Sequence, residues 1–341
     1  GAEEKAGITL NGGSVNADAG AISLRGQGVA GIGSAHGIHV LGGGVIGHAT
    51  ATGTITLVGS GGAVSGTGTT LVQNDGIRIT GSGSAVRAAE GAISLTGFGG
   101  GGGGSDHYGV HLINGAVVES HGTGANAATI TVIGQGGDGS AGNDAGDRGY
   151  GRGVFLNSSA AVRSVDGDIV LTGTGGSVGG QNLGVYVGNS VVESTGNGAN
   201  AATVTLNGTG GNAGGNSYGV YVAGGTSVVR GVAGDVTING TGGNGGGSNL
   251  GIVINGNGRV ESTGTGTNAA KLILNGTGGN GSSGNRGIYL TNNGRLISQE
   301  GAISLTGVGG DGSGSDSHGI HFFHSVNNGG KVLSTGTGAN A

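Results

Sequence analysis

The chain has 341 residues, of which 93 are Gly, and it lacks Pro, Met, Cys and Trp, a composition far from that of an ordinary globular domain. Its formal net charge of −5 arises from 13 basic and 18 acidic residues with no block rich in Lys or Arg, which argues against nucleic acid as a partner. No apolar run approaches the roughly 20 residues of a membrane helix, so this segment is not expected to insert into a membrane.

One strand-like segment recurs nine times along the chain. Residues 91–97 and 301–307 both read Gly-Ala-Ile-Ser-Leu-Thr-Gly, and the other copies are variants of it. The apolar anchors of the nine copies are Ile22, Ile55, Ile93, Ile130, Ile169, Val204, Val236, Leu272 and Ile303. Successive anchors lie 31 to 39 residues apart, so the sequence predicts an array of repeats with loops of variable length.

Each repeat contains three short segments in which apolar and polar residues alternate with period two. The first begins at the anchor, the second follows a Gly as in residues 219–222, and the third resembles Val-Val-Glu-Ser at 191–194. Stacking one repeat on the next gives every strand a parallel neighbour for its backbone hydrogen bonds. The sequence therefore predicts an all-β fold, a right-handed parallel β-helix (β-solenoid) of about ten coils with three strands each and Gly-rich loops.

The repeats extend over nearly the whole chain, so residues 1–341 are expected to form a single β-solenoid repeat domain. The chain stops at 339–341 within a motif that earlier copies continue into a strand, and it is therefore interpreted as a fragment of a longer protein. Short and long turns alternate before the anchors, which predicts a two-coil repeat of 67 to 76 residues. Ile93 and Ile169 are 76 residues apart, and Ile169 and Val236 are 67 apart.

Stacking in this register predicts two columns of polar side chains. From the third coil onward, the outward position of the third strand reads Arg87, Glu119, Arg163, Glu193, Arg230, Glu261, Ile297 and Leu333. Six successive charges alternate in sign, which favours pairing between neighbouring strands. Asn207, Asn239 and Asn275 occupy equivalent places after the first strand and are expected to exchange amide hydrogen bonds.

Most of the aromatic residues lie in or beside the second strand, several of them at its outward position. The candidate ligand-binding residues are Phe155, Tyr186, Tyr221 and Tyr289, because rings on a rigid face suit contact with sugars or proteins. The favoured structural alternative is that the loops preceding this strand, such as residues 136–152, fold over the rings.

Several histidines near this strand raise the question of a metal. They form three groups, each with two or three potential ligands: His36 with His39, His107 with His111, and His318 with His321 and His324, while Asp106 and Asp316 lie close in sequence. The coils are not all adjacent, so no metal site and no cofactor is predicted, and the histidines are expected at the surface. Catalysis is not predicted either, because Glu119, Glu193 and Glu261 lie two coils apart with Arg between them.

The repeats Gly-Ala-Ile-Ser-Leu-Thr-Gly-x-Gly-Gly, Gly-Val-x-Val and Val-x-Ser-Thr-Gly-x-Gly-Ala-Asn-Ala-Ala-Thr-x-Thr-Leu resemble those of large bacterial β-helical surface proteins of the filamentous haemagglutinin-like kind. The resemblance covers residues 7–341. It implies a secreted, cell-surface or extracellular location and a structural or adhesive role without catalysis, with glycans or a host or neighbouring cell surface as partners. The alternatives are an extracellular filament subunit that associates end to end and a β-helix that binds or degrades polysaccharide.

Overall fold

The computed structural model describes residues 5–31, 34–63, 73–102, 106–138, 150–212, 214–323 and 328–337. These residues form a parallel β-solenoid with three sheets and no helix. It follows that the described residues contain no helix long and apolar enough to cross a membrane. The all-β, parallel solenoid predicted from the repeats is confirmed.

The three sheets are named here by the order of their strands within a repeat. The strands of the first sheet are Ile22–Gln27, Ile55–Ser60, Ile93–Phe98, Ile130–Gln135, Ile169–Thr174, Val204–Thr209, Val236–Thr241, Leu272–Thr277 and Ile303–Val308. Those of the second sheet are Ile8–Asn11, Ile38–Leu41, Ile77–Thr80, Val110–Ile113, Val154–Asn157, Val185–Gly188, Val220–Ala223, Ile252–Asn255, Ile288–Leu290 and Ile320–Phe322. Those of the third sheet are Ser14–Val15, Val45–Gly47, Ala85–Ala88, Val117–Ser120, Ala161–Ser164, Val191–Ser194, Val228–Gly231, Arg259–Ser262, Arg295–Ser298 and Lys331–Ser334.

Each strand pairs in parallel with the strand one repeat away. In the described residues, eight strands of each ten-stranded sheet have a neighbour on both sides, so about eight turns of the solenoid are enclosed. The inward side chains of all three sheets meet in one aliphatic core. Around one turn, Ile169, Leu171, Val185, Val187 and Val192 are fully buried. Burying each such side chain contributes about 1.5 to 3 kcal/mol relative to leaving it in water.

Glycine is required at the corner where the first sheet meets the second. The fifth residue of every first-sheet strand is Gly, and its backbone packs against the carbonyl of the Gly that precedes the next second-sheet strand. A Cβ atom added at Gly208 would lie 2.5 Å from the carbonyl carbon of Gly219 and 2.7 Å from Cγ2 of Val220. A side chain at this corner would therefore force the two sheets apart.

The register predicted from the charges is confirmed. Arg87, Glu119, Arg163 and Glu193 are direct neighbours on successive strands of the third sheet, and Arg230 and Glu261 continue the column. Arg163 Nε donates to Glu193 Oε1 at 2.8 Å. Arg230 bridges the next two acids, with Nη2 2.6 Å from Glu261 Oε1 and Nη1 3.3 Å from Glu193 Oε2. Each carboxylate is thus held by arginines of neighbouring coils.

The predicted asparagine column on the first sheet is also present. Asn239 Nδ2 donates to Asn207 Oδ1 at 2.8 Å, and Asn275 Nδ2 donates to Asn239 Oδ1 at 2.9 Å. Because amide side chains both donate and accept, one residue type can continue the column from coil to coil. These hydrogen bonds favour the observed register of the first sheet and use only uncharged side chains on its outer face.

Two of the short turns are hydrogen-bonded to the long turn of the preceding coil. Asp166, in a short turn, accepts a hydrogen bond from the backbone N–H of Gly124 in the long turn of the preceding coil, at 2.6 Å. Glu300 accepts from Gly266 in the same way, at 2.5 Å. An acidic residue in each of these short turns therefore satisfies a backbone donor of the long one.

Candidate functional site

The four predicted ligand-binding residues lie in one column on the outer face of the second sheet. Phe155, Tyr186 and Tyr221 are direct neighbours on three successive strands, while Val253 separates Tyr221 from Tyr289. The rings of Phe155 and Tyr186 are stacked with centroids 5.0 Å apart and an interplanar angle of 14°. The rings of Tyr186 and Tyr221 meet edge to face at 5.4 Å. The structure therefore brings three of the four residues together.

A second column of side chains covers this face of the sheet. From the second strand of that sheet onward, it consists of the residue immediately before the Gly that precedes each strand, three positions before the column residue that it covers. We call these the covering residues: His36, Asp75, Tyr108, Arg152, Leu183, Tyr218, Leu250, Arg286 and His318. The ring of Tyr218 packs edge to face on that of Tyr221, with centroids 5.4 Å apart. The guanidinium carbon of Arg286 lies 4.8 Å from the ring centroid of Tyr289.

Arg152 is the central covering residue of the aromatic part. Its guanidinium carbon lies 4.6 Å from the ring centroid of Phe155, 5.2 Å from that of Tyr186 and 4.8 Å from that of Tyr150. Such cation–π contacts are favourable on ring faces that are partly removed from water. Phe155 is 5% exposed beneath this group, whereas Tyr186, Tyr221 and Tyr289 are half-buried. The three tyrosines therefore remain accessible for a ligand, and binding by the four residues stays a prediction.

Toward the N-terminal end of the same face, the two columns build a buried polar cluster around Asp75, which is 0% exposed. Asp75 Oδ2 accepts hydrogen bonds from His111 Nδ1 at 2.9 Å and from Arg78 Nη1 at 3.1 Å. Asp75 Oδ1 accepts from the backbone N–H of Tyr108 at 3.1 Å, and the backbone N–H of Asp75 donates to His36 Nδ1, also at 3.1 Å. The carboxylate is thus held by groups of its own coil and the next, and the backbone N–H of Asp75 bonds to the preceding coil.

Burial sets the protonation of this cluster. Burial lowers the pKa of His36 to about 3, against the opposing effect of Asp75, and it also lowers the pKa of His107 and of His111. Burial alone would raise the pKa of Asp75, but the hydrogen bond from His111 and the charge of Arg78 hold it well below its usual range. At neutral pH the cluster therefore contains a carboxylate and a guanidinium surrounded by neutral imidazoles.

The expectation that the histidines lie at the surface is wrong for His36, His39, His107 and His111, which are all buried. The covering residues His36 and Tyr108 pack on His39 and His111, with ring centroids 4.9 and 4.7 Å apart, a contact that single-strand periodicity does not show. In the parts of the chain that the structure describes, no group of three or more His, Cys, Asp or Glu side chains could hold a metal ion. His324 lies outside the described residues.

Sequence reasoning missed Asp75, the residue that joins His36 to His111. The available signal was the alignment of Asn-Asp-Gly at 74–76 with Ala-His-Gly at 35–37 and His-Tyr-Gly at 107–109, because all three precede a second-sheet strand. Aligning them places the carboxylate between the two histidines.

Comparison with known protein families, characterised proteins and solved structures finds no match to this chain.

Proposed function

We propose that the chain is a structural and adhesive rod segment of a secreted bacterial surface protein of the filamentous haemagglutinin-like kind. In this proposal the rod is a right-handed shaft of about ten coils decorated by Gly-rich loops, and it carries out no catalysis. The observation that supports it most is the continuous register of the three sheets, in which side-chain columns connect coil to coil from Arg87 to Glu261. Such columns stiffen an elongated shape.

The dimensions of the fold suit a shaft. Neighbouring strands lie about 4.8 Å apart, so nine steps between ten strands span about 43 Å along the axis. The outer face of the third sheet is occupied by paired charges and that of the second by the covering residues. A surface organised in this way offers long, repetitive faces for adhesion, as expected of a protein outside the cell.

Adhesion is proposed to involve the half-buried tyrosines of the second sheet. The test is retention of the purified chain on an array of glycans and on intact bacterial or host cells. Tyr186→Ala combined with Tyr221→Ala is expected to reduce retention by about tenfold, the loss expected when contacts worth about 1.4 kcal/mol are removed. Phe98→Ala is the matched control, because Phe98 is an exposed ring on the first sheet. Equal retention of all three proteins would contradict a role of the tyrosines.

A second candidate function is a filament subunit that associates end to end. It is favoured by the uniform parallel register of all three sheets, because the same backbone pairing that joins successive coils also serves between chains. Electron microscopy across a concentration series tests this, since a filament lengthens with concentration and an isolated rod does not.

A further inference from the structure

The alternation of charges on the third sheet stops after Glu261. The next two positions of that column are Ile297 and Leu333. Ile297 pairs in register with Glu261, and Leu333 pairs with Ile297. No acidic residue therefore continues the column on the last two strands. The alternation of charge that extends over six coils is absent from one end of the sheet, and such departures identify candidate functional surfaces.

A second change occurs on the same face, two residues earlier in each strand. In the preceding coils this position holds Val117, Ala161, Val191 and Val228, whereas the last three strands carry Arg259, Arg295 and Lys331. These three cations are direct neighbours, about 4.8 Å apart from strand to strand. Like charges placed directly opposite each other destabilise a sheet, so scaffold stability does not explain them.

These cations are only partly neutralised within the described chain. Arg259 Nε lies 3.5 Å from Glu261 Oε2, but that carboxylate is already paired with Arg230 at 2.6 Å. Arg295 and Lys331 form no ion pair with any described residue, and the Nε of Arg295 is buried without a hydrogen-bond partner. On a chain with a net charge of −5, this is a localised positive column.

We propose that this column, Arg259–Arg295–Lys331, binds a polysaccharide that bears carboxylates, that is, a polyuronate. This inference rests on the proposed adhesive function and names a ligand class for it. Charge complementarity supports it, because an extended uronate chain presents carboxylates at regular intervals along the coil axis. The planar guanidinium of each Arg matches a carboxylate with two parallel hydrogen bonds. Ile297 and Leu333, beside the cations, provide apolar surface for the C–H faces of sugar rings.

Nucleic acid fits this surface less well. Its affinity depends on neutralising many phosphates, and three cations beside two apolar side chains neutralise few of them. A polyuronate requires fewer charges, because the sugar rings also contact apolar side chains. DNA is therefore included in the test as a competing ligand.

The test is calorimetric titration of the whole chain with polygalacturonate oligosaccharides in low salt with a calcium chelator, and with neutral galactan oligosaccharides of equal length. We expect binding of the acidic oligosaccharide only. Arg295→Gln combined with Lys331→Gln should weaken it at least about tenfold, because both changes remove a charged hydrogen-bond donor to the carboxylates. Leu333→Glu, which places a carboxylate beside Lys331, should weaken it without removing a cation.

Arg163→Gln is the matched control, because Arg163 lies on the same face but is paired with Glu193. It should bind as the unaltered chain does. Equal binding of acidic and neutral oligosaccharides, no effect of Arg295→Gln with Lys331→Gln, or tighter binding of duplex DNA would each overturn the inference. Retention on cells through the tyrosines, measured in parallel, distinguishes the outcomes: if it persists while polygalacturonate fails to bind, the adhesive function stands and this ligand assignment does not.

Discussion

Replacing Gly208 by Ala tests whether the glycine corner is a packing requirement. The added Cβ would lie 2.5 Å from the carbonyl carbon of Gly219 and closer still to its oxygen. Neither backbone can move away, because Gly173 and Gly240 pair with Gly208 on the two neighbouring strands and meet the same kind of corner. Overpacking typically costs 1 to 3 kcal/mol, so a clash with fixed backbone is expected to lower the free energy of unfolding by about 3 kcal/mol or more.

The assay is urea unfolding followed by circular dichroism, with hydrogen exchange of the amides in Val204–Thr209 as a local readout. Gly198→Ala is the matched control, because no atom lies within 4 Å of a Cβ at that position and Gly198 is not among the positive-φ glycines. This control should change stability by no more than about 1 kcal/mol, in the stabilising direction. Equal unfolding midpoints and equal exchange for the two variants would refute the packing argument.

Three further predictions concern the side-chain networks. A double-mutant cycle of Arg163→Ala and Glu193→Ala should give a coupling free energy of about 0.2 to 1 kcal/mol that falls in high salt, as measured by urea unfolding. Asn239→Ala removes one donated and one accepted hydrogen bond and should lower the free energy of unfolding by about 1 to 2 kcal/mol in the same assay, whereas an unchanged midpoint would mean that the column contributes nothing. The pKa of His36 is about 3 when folded and 6.5 in a model peptide, so the unfolded chain binds the proton first and stability falls as the pH decreases from 6.5 to 3. The loss at pH 4 should be roughly 3 kcal/mol, and His36→Gln should reduce this pH dependence, whereas a parallel pH dependence of the two proteins would contradict it.

The register of the solenoid was predictable from sequence because its signal is strictly local and periodic. Residues at one position of successive strands become neighbours, so a column such as Arg163 and Glu193 follows from aligning the repeats. The core was predictable for the same reason. Paired charges and aliphatic anchors both follow the period-two alternation of a single strand.

The sequence favoured loops such as residues 136–152 folding over the rings, but it did not predict which residue of each coil covers the column, because that residue is positioned by a corner of the chain and not by strand alternation. Arg152 lies over Phe155 only because Gly153 between them turns the chain into the second sheet, where a Cβ would meet the backbone of Thr174. The spacing of three residues was visible in the sequence, as in His36 and His39. That the first residue packs on the second could be inferred only once the position of the corner was known. The burial of Asp75 and His111 follows from the same geometry.

Side chains in one column lie about 4.8 Å apart, and each of the three outer faces of the solenoid accommodates them in a different way. Residues that depart from these arrangements are therefore candidates for a function. The third sheet alternates charge, the first uses amides that both donate and accept, and the second covers its column with a further layer of side chains. Each solution is repetitive, so a residue that follows it is explained by the scaffold alone. Ile297 and Leu333 depart from the alternation, and nothing else in the described fold compensates the charge of Arg295 and Lys331 beside them. Repulsion between these neighbouring cations destabilises the sheet. Its presence on an accessible face is best explained by a ligand that supplies the missing negative charge.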